Sequence, residues 1–199
     1  IIEERMTQFA KLAFRRPPMD GELKPIIEMV RAKLEEGLSP LESLQLGFQT
    51  ILSAPGFLYL KEGEGELDDH TLASRLSYFL WSSMPDKQLS ELAEQGKLKD
   101  LATLTKQVDR MLADPKSKRL ASNFLRVWLE LDNIGKMPPS REFVSFYRDN
   151  LESAMRQETE LLFQHVLEKN LPPRELLAAN YSFINRAVSY THLTLPTKQ

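Results

Sequence analysis

The sequence predicts an all-α fold, a multi-helix array of orthogonal or bundle-like type in two packed modules. Three observations predict it. Apolar residues recur three and four positions apart through most of the chain, the spacing of one helical face. The segments are punctuated by helix signals: Asp or Ser caps, Ser-Pro and Asp-Pro starts, Gly stops. No stretch of useful length alternates apolar and polar residues as a half-buried strand does, and no segment repeats.

Ile2, Met6, Phe9, Ala10 and Ala13 mark a first helix. It closes before Arg15-Arg16-Pro17-Pro18, where the arginines suit the negative end of the dipole and read as a solvated helix end. A second helix falls within 20–36, with Ile26, Ile27, Val30 and Leu34 inward, Pro25 in its first turn and Gly37 as its stop. Ser39-Pro40-Leu41-Glu42 has capping-box spacing. The helix it opens carries Leu41, Leu44, Phe48, Ile51 and Leu52 on one face. Pro55-Gly56 ends that helix, and residues 57–60 (FLYL) read as an extended, buried connector. Residues 61–66 (KEGEGE), polar with two glycines, separate a three-helix module over 1–60 from a main domain over 67–187.

The main domain is centred on 68–83. Asp68 caps its first helix, and Leu67 and Leu72 are spaced as a hydrophobic staple. Leu72, Leu76, Phe79 and Leu80 form the inward stripe, widened by Tyr78 and Trp81. Pro85 ends the helix and Asp86 caps the next, a short one over 87–95 stopped by Gly96. Asp100 caps a helix with Leu101, Leu104, Val108, Met111 and Leu112 inward. Asp114-Pro115 opens another, with Leu120, Phe124, Val127, Trp128 and Leu131 on one stripe. Residues 133–140 read as a loop, 149–169 as a long helix, and 172–179 as a last short one after Pro172-Pro173.

With 26 Lys and Arg against 28 Asp and Glu, the net charge is −2. That balance argues against nucleic-acid binding by bulk electrostatics. The absence of cysteine excludes disulfides, thiolate metal sites and covalent haem attachment within this sequence. No apolar run approaches a membrane span. No signal peptide is visible, and the start at Ile1, already inside a helical pattern, reads as a cut from a longer chain, a metagenomic fragment. Residues 188–197 read VSYTHLTLPT, which looks like the translation of a transposase-type sequencing adapter. Residues 188–199, His192 among them, are therefore set aside as a non-biological tail; the alternative is a genuine β-prone tail.

Candidate chemistry is sparse. On the long helix, Leu151, Met155, Glu158, Leu162, His165 and Val166 share a face, so Glu158 and His165 look inward together. A His–carboxylate pair serves acid–base work or metal binding. The spacing is not the Glu-x-x-His of bundle di-iron sites, and a carboxylate paired with an arginine beside a partly exposed histidine explains it equally. His70 lies in the first turn of the central helix, in a surface or capping position or as a ligand. Arg75 sits mid-helix among apolar residues, placed to pair with Asp86 or Glu158 or to clamp a substrate carboxylate. Trp81 and Trp128 are core residues or a stacking platform for a sugar or cofactor. The run 116–119 (KSKR) reads as a solvated helix end. No Ser–His–Asp order, Gly-rich phosphate loop or zinc signature appears.

Several stretches are distinctive as words. Residues 9–17 (FAKLAFRRP) and 51–59 (ILSAPGFLY) resemble one small module. Residues 67–86 (LDDHTLASRLSYFLWSSMPD), 96–98 (GKL), 108–115 (VDRMLADP), 123–131 (NFLRVWLEL), 155–160 (MRQETE) and 180–186 (NYSFINR) resemble its neighbour. Together they resemble the uncharacterised adjacent domains of large planctomycete-type proteins that also carry a cytochrome c domain, in that family's order over nearly all of 9–186. The resemblance implies an exported protein of the periplasm or cell envelope, with haem c in a separate Cys-x-x-Cys-His domain. No cofactor is implied within this sequence. The family supplies no catalytic residues to transfer. Its pattern continues past Asn185-Arg186 with Leu-Ala and His-Tyr-Gly segments that the adapter-like tail replaces. The expectation is a helical scaffold or interaction region whose partners are other domains of the same polypeptide and a redox partner. The alternative is part of an oxidoreductase or polysaccharide-processing enzyme, with Glu158, His165 and Arg75 as the catalytic candidates. A third is carbohydrate binding through Trp81 or Trp128.

Overall fold

The computed structural model describes residues 1–60, 65–136, 150–185 and 188–189. Among them the chain is all-α, with ten α-helices and no strand. It divides into two compact units, Ile1–Ala113 and Asp114–Gln199.

In the first unit, α1 (Ile2–Phe14), α2 (Lys24–Glu35) and α3 (Pro40–Ser53) are followed by a single turn, α4 (Pro55–Leu58). The local signals act where the sequence places them. Ser39 and Glu42 form a reciprocal capping box, Pro25 and Pro40 stand in first turns, and Gly37 turns the chain out of α2 at φ 100°. Met6, Ala10, Ala13, Phe14, Leu23, Ile26, Val30 and Ile51 form one core, flanked by Phe9 stacked on Phe48 at 4.2 Å. Gly47 lets α3 approach closely, since a Cβ there would lie 3.0–3.1 Å from Met6 and Val30. Two expectations are corrected. Leu41 and Leu52 face solvent, and residues 57–60 are no extended buried connector: Pro55 starts a helical turn, and Leu58, Tyr59 and Leu60 are exposed.

The first unit continues with α5 (Asp69–Trp81), α6 (Lys87–Glu94) and α7 (Leu101–Ala113). Asp68, Asp86 and Asp100 each accept a first-turn amide, from Thr71, Leu89 and Thr103 at 2.6, 2.9 and 2.8 Å. The inward face of α5 is not the Leu72–Leu76–Phe79 stripe. It is Ala73, Ser74, Ser77, Leu80 and Trp81, and Phe79 is 62% exposed. At 100° per residue the two faces lie roughly a third of a turn apart. Small side chains at 73, 74 and 77 let neighbouring segments come close, and only Leu80 and Trp81 supply bulk. Ser77 satisfies its hydroxyl by donating to Ser83 O at 2.8 Å. On α7, Met111 and Gln107 are buried while Leu101 and Leu112 face outward, a second correction to the expected stripe.

In the second unit, Asp114 caps a 3-10 turn (Pro115–Ser117) that leads into α8 (Lys118–Trp128). A second such turn (Leu131–Asn133) follows, then α9 (Leu151–Glu168) and α10 (Glu175–Ala178). Helix α8 buries Leu120, Ala121 and Leu125; Phe124, Val127 and Trp128, expected inward, are exposed along one side. Phe124 still meets Phe163 of α9 at 5.5 Å. Arg156 joins α9 to the preceding turn by donating to Leu131 O and Ile134 O at 3.2 and 2.7 Å. Val188, set aside at the sequence level, is buried with Leu151 and Ala154, and Ser189 N donates to Asn185 O. The rest of the expected tail with His192, residues 137–140 of the expected loop and residues 61–64 of the expected boundary lie outside the described residues.

Candidate functional site

Two places gather the side chains that could do chemistry. The first is a cleft where the end of α1 meets the start of α5. Arg15 takes a left-handed backbone, φ 60°, at the close of α1. That turn sends its guanidinium across to α4 and α5. It donates to Gly56 O and Phe57 O at 3.3 and 3.0 Å and to Tyr78 Oη at 3.4 Å, and stands 5.8 Å from the rings of Phe57 and Tyr78. Its Nε is buried and makes no hydrogen bond. Arg16 forms a two-pronged ion pair with Glu22, both prongs 2.8 Å, and that hydrogen bond holds its charge more firmly than usual. Lys11 pairs with Glu94 at 2.8 Å. So Arg15-Arg16 is not the solvated helix end that the sequence suggests; both arginines are half-buried. Two adjoining cavities of about 20 and 60 Å³ share Arg15, Arg16 and His70 in their walls.

The second place is α9 under the segment 181–185. Glu158 is half-buried and accepts a hydrogen bond from Ser182 Oγ. His165 packs its ring against Tyr181 at 5.6 Å and Phe183 at 5.3 Å. Burial, and then the charge of Glu175, push the Tyr181 phenol up from its ordinary value. One strap therefore runs over both residues, its Ser on the carboxylate and its aromatics on the imidazole. Ala154, Gln157, Glu158, Leu161 and residues 182–185 line a groove of about 410 Å³.

Arg75 is exposed on α5, in the first unit, whereas Glu158 and His165 belong to the second. Asp86 is held by Arg110, at 2.7 and 3.2 Å, besides capping α6. Trp81 is fully buried, with Nε1 donating to Met111 O at 2.9 Å and the Arg110 guanidinium 5.4 Å from its ring. It offers no stacking platform. Trp128 is partly exposed and packs on Phe124 at 5.5 Å. Among the described residues no group of three His, Asp or Glu is placed to hold a metal ion, and no helix is long and apolar enough to cross a membrane.

Sequence reasoning missed the Arg15 cleft because its partners lie 41, 42 and 63 positions away. It missed Asp69 for the same reason: the carboxylate accepts Leu98 N and Lys99 N at 2.7 and 3.1 Å. The signal at hand was verbal, since Arg15, Asp69, Leu98 and Ser182 all fall in the distinctive words quoted above.

No curated protein and no solved structure matches the chain. Residues 2–62 match PSD5, a protein of unknown function (DUF1595). Residues 67–191, more than half of the sequence, match PSD4, a protein of unknown function (DUF1592), and the chain belongs to that family.

Proposed function

We propose that this chain is a helical scaffold and interaction region of a larger exported protein of the planctomycete type that also carries a c-type haem. Its role is to position the haem domain or a redox partner. The observation that carries this reading is the use made of the charged side chains. Asp69, the Asp86–Arg110 pair and Arg156 each fasten one helix to a neighbouring helix or turn. Groups committed to such ties hold a shape and are not free to exchange protons with a substrate. Two adjoining domain families of unknown function support a modular polypeptide. The haem belongs to another domain on this reading, because its attachment needs a Cys-x-x-Cys-His motif and this sequence has no cysteine. The periplasm or cell envelope is the compartment proposed.

The test is the full-length protein, recovered from its gene and purified from the periplasm. The expected result is a c-type haem spectrum, with substitutions on this region changing partner binding and leaving the haem potential unmoved. A full-length gene without a haem domain would overturn the reading.

One observation favours a second reading, part of an oxidoreductase or polysaccharide-processing enzyme. The groove beside Glu158 mixes Gln157, Ser182 and Asn185 with Leu161, Phe183 and Ile184, the blend of polar and apolar walls that a sugar ring occupies. On that reading Glu158 is the acid or base, and Glu158→Gln in the full-length protein lowers turnover about 100-fold or more. Unchanged turnover would remove it.

A further inference from the structure

We infer that the cleft between the end of α1 and the start of α5 is a binding site for one small oxyanion, a phosphate, sulfate or carboxylate group, received by Arg15 and His70. The inference stands apart from the scaffold reading.

The argument starts from charge. Arg15 is half-buried, and every acceptor it has is neutral: two backbone carbonyls and a phenol. Its Nε has no acceptor at all. Among the described residues it makes no ion pair, while both neighbouring cations do: Arg16 with Glu22, Lys11 with Glu94. The third nearby carboxylate, Asp68, accepts Thr71 N, acts electrostatically on Arg16 and His70, and makes no ion pair with Arg15. A guanidinium taken out of water without a counter-ion is costly, and an oxyanion removes that cost with charge-assisted hydrogen bonds.

The walls supply the remaining donors. Thr71 and Ser74 stand with Arg15, Arg16 and His70 around the smaller cavity. Lys11 and Ser90 join Arg15, Arg16 and His70 around the larger, with Glu94. The smaller cavity, about 20 Å³, has room for about one water-sized group, since ~10–15 Å³ suffices for a water. The larger, about 60 Å³, takes a few more atoms. That is room for a single small headgroup inside the cleft. His70, at the second position of α5, stands in the walls of both cavities and offers a ring N–H to a bound oxygen.

The test is a titration of the full chain with sodium phosphate, sulfate or acetate at one fixed pH and at constant ionic strength set by chloride. The readouts are the His70 ring resonances and the thermal midpoint. We expect a saturable response to at least one anion. It weakens about tenfold or more in Arg15→Gln and His70→Gln and is unchanged in Arg126→Gln, a surface control. The phosphate, sulfate and acetate arms distinguish a tetrahedral headgroup from a planar one. If Arg15→Gln does not fold by circular dichroism, His70→Gln decides. A response that never saturates, or one equally strong in the folded variants, overturns the inference.

Discussion

Trp81 shows how much one side chain settles in this chain. The indole is wholly enclosed, yet its N–H is satisfied by Met111 O. That carbonyl lies in the last turn of α7, where a helix has no amides left to offer its own carbonyls. Trp81→Phe strands it and leaves part of the indole volume empty. The expected loss is about 1–3 kcal/mol in urea unfolding followed by circular dichroism; a loss below about 0.5 would show the bond to be idle. Asp68 gives a prediction in pH. The Thr71 amide first, and the Thr71 hydroxyl after it, hold its carboxyl below the ordinary value, against an opposing effect of burial smaller than that of the amide. A carboxyl depressed in the folded state contributes stability above its unfolded pKa and loses it as pH falls through the folded one. Asp68→Ala should therefore cost about 1 kcal/mol at pH 7, and the deficit should fade below about pH 4. A deficit constant down to pH 2 would mean that the carboxylate charge has no part in it. The cap was legible because its partner is three positions away. The partner of Trp81 is thirty positions away, and no local pattern carries that distance.

At the scale of the element, helix ends were legible and helix faces often were not. Caps at Ser39, Asp68, Asp86, Asp100 and Asp114 depend on the next few residues alone. A face depends on what arrives from elsewhere. On α5 the stripe of large apolar residues is the flank, and a row of Ala and Ser is the contact. Hydrophobic periodicity weights bulk and so passes over small residues that permit close approach. On α8 and α7 the same bias assigned Phe124, Val127, Leu101 and Leu112 to the interior. The difference is measurable. Ala73 is 1% exposed, so Ala73→Leu forces bulk into a filled contact and should cost about 1–3 kcal/mol. Phe79→Gln, on the stripe that the sequence favoured, should stay within about 0.5 kcal/mol of the parent. The opposite ranking in chemical denaturation would restore the larger stripe as the buried face.

For the whole molecule, two kinds of boundary fall in different places. The compact units divide between 113 and 114, whereas the two family matches meet between 62 and 67. A polar, glycine-bearing stretch of the sequence falls at the second; no local signal marks the first, which follows from packing among distant residues. The candidate site was legible only in part. Glu158 and His165 do lie under one strap, but the Arg15 cleft was invisible until α4 and α5 came beside α1. Which boundary governs stability follows from what crosses each. The buried residues of the core around Met6, Val30 and Ile51 come from α1 to α3 and the residues joining them, with Phe57 of α4 packed against it. From α1 toward α5 and α6 run a long hydrogen bond, Arg15 to Tyr78, and a half-exposed ion pair, Lys11 to Glu94. Exposed ion pairs contribute about 0–1 kcal/mol, far less than an apolar core. The first three helices should therefore open as a unit of their own while α5 to α7 stay closed. Ile51 is fully buried, and Ile51→Ala should lower amide protection across α1 to α3 by about 2–5 kcal/mol. Protection in α5 to α7 should change by less than about 1 kcal/mol. Native-state hydrogen exchange on the full chain reads both at once. An equal loss throughout Ile1–Ala113 would show instead that the polar ties fuse the two parts into one cooperative body.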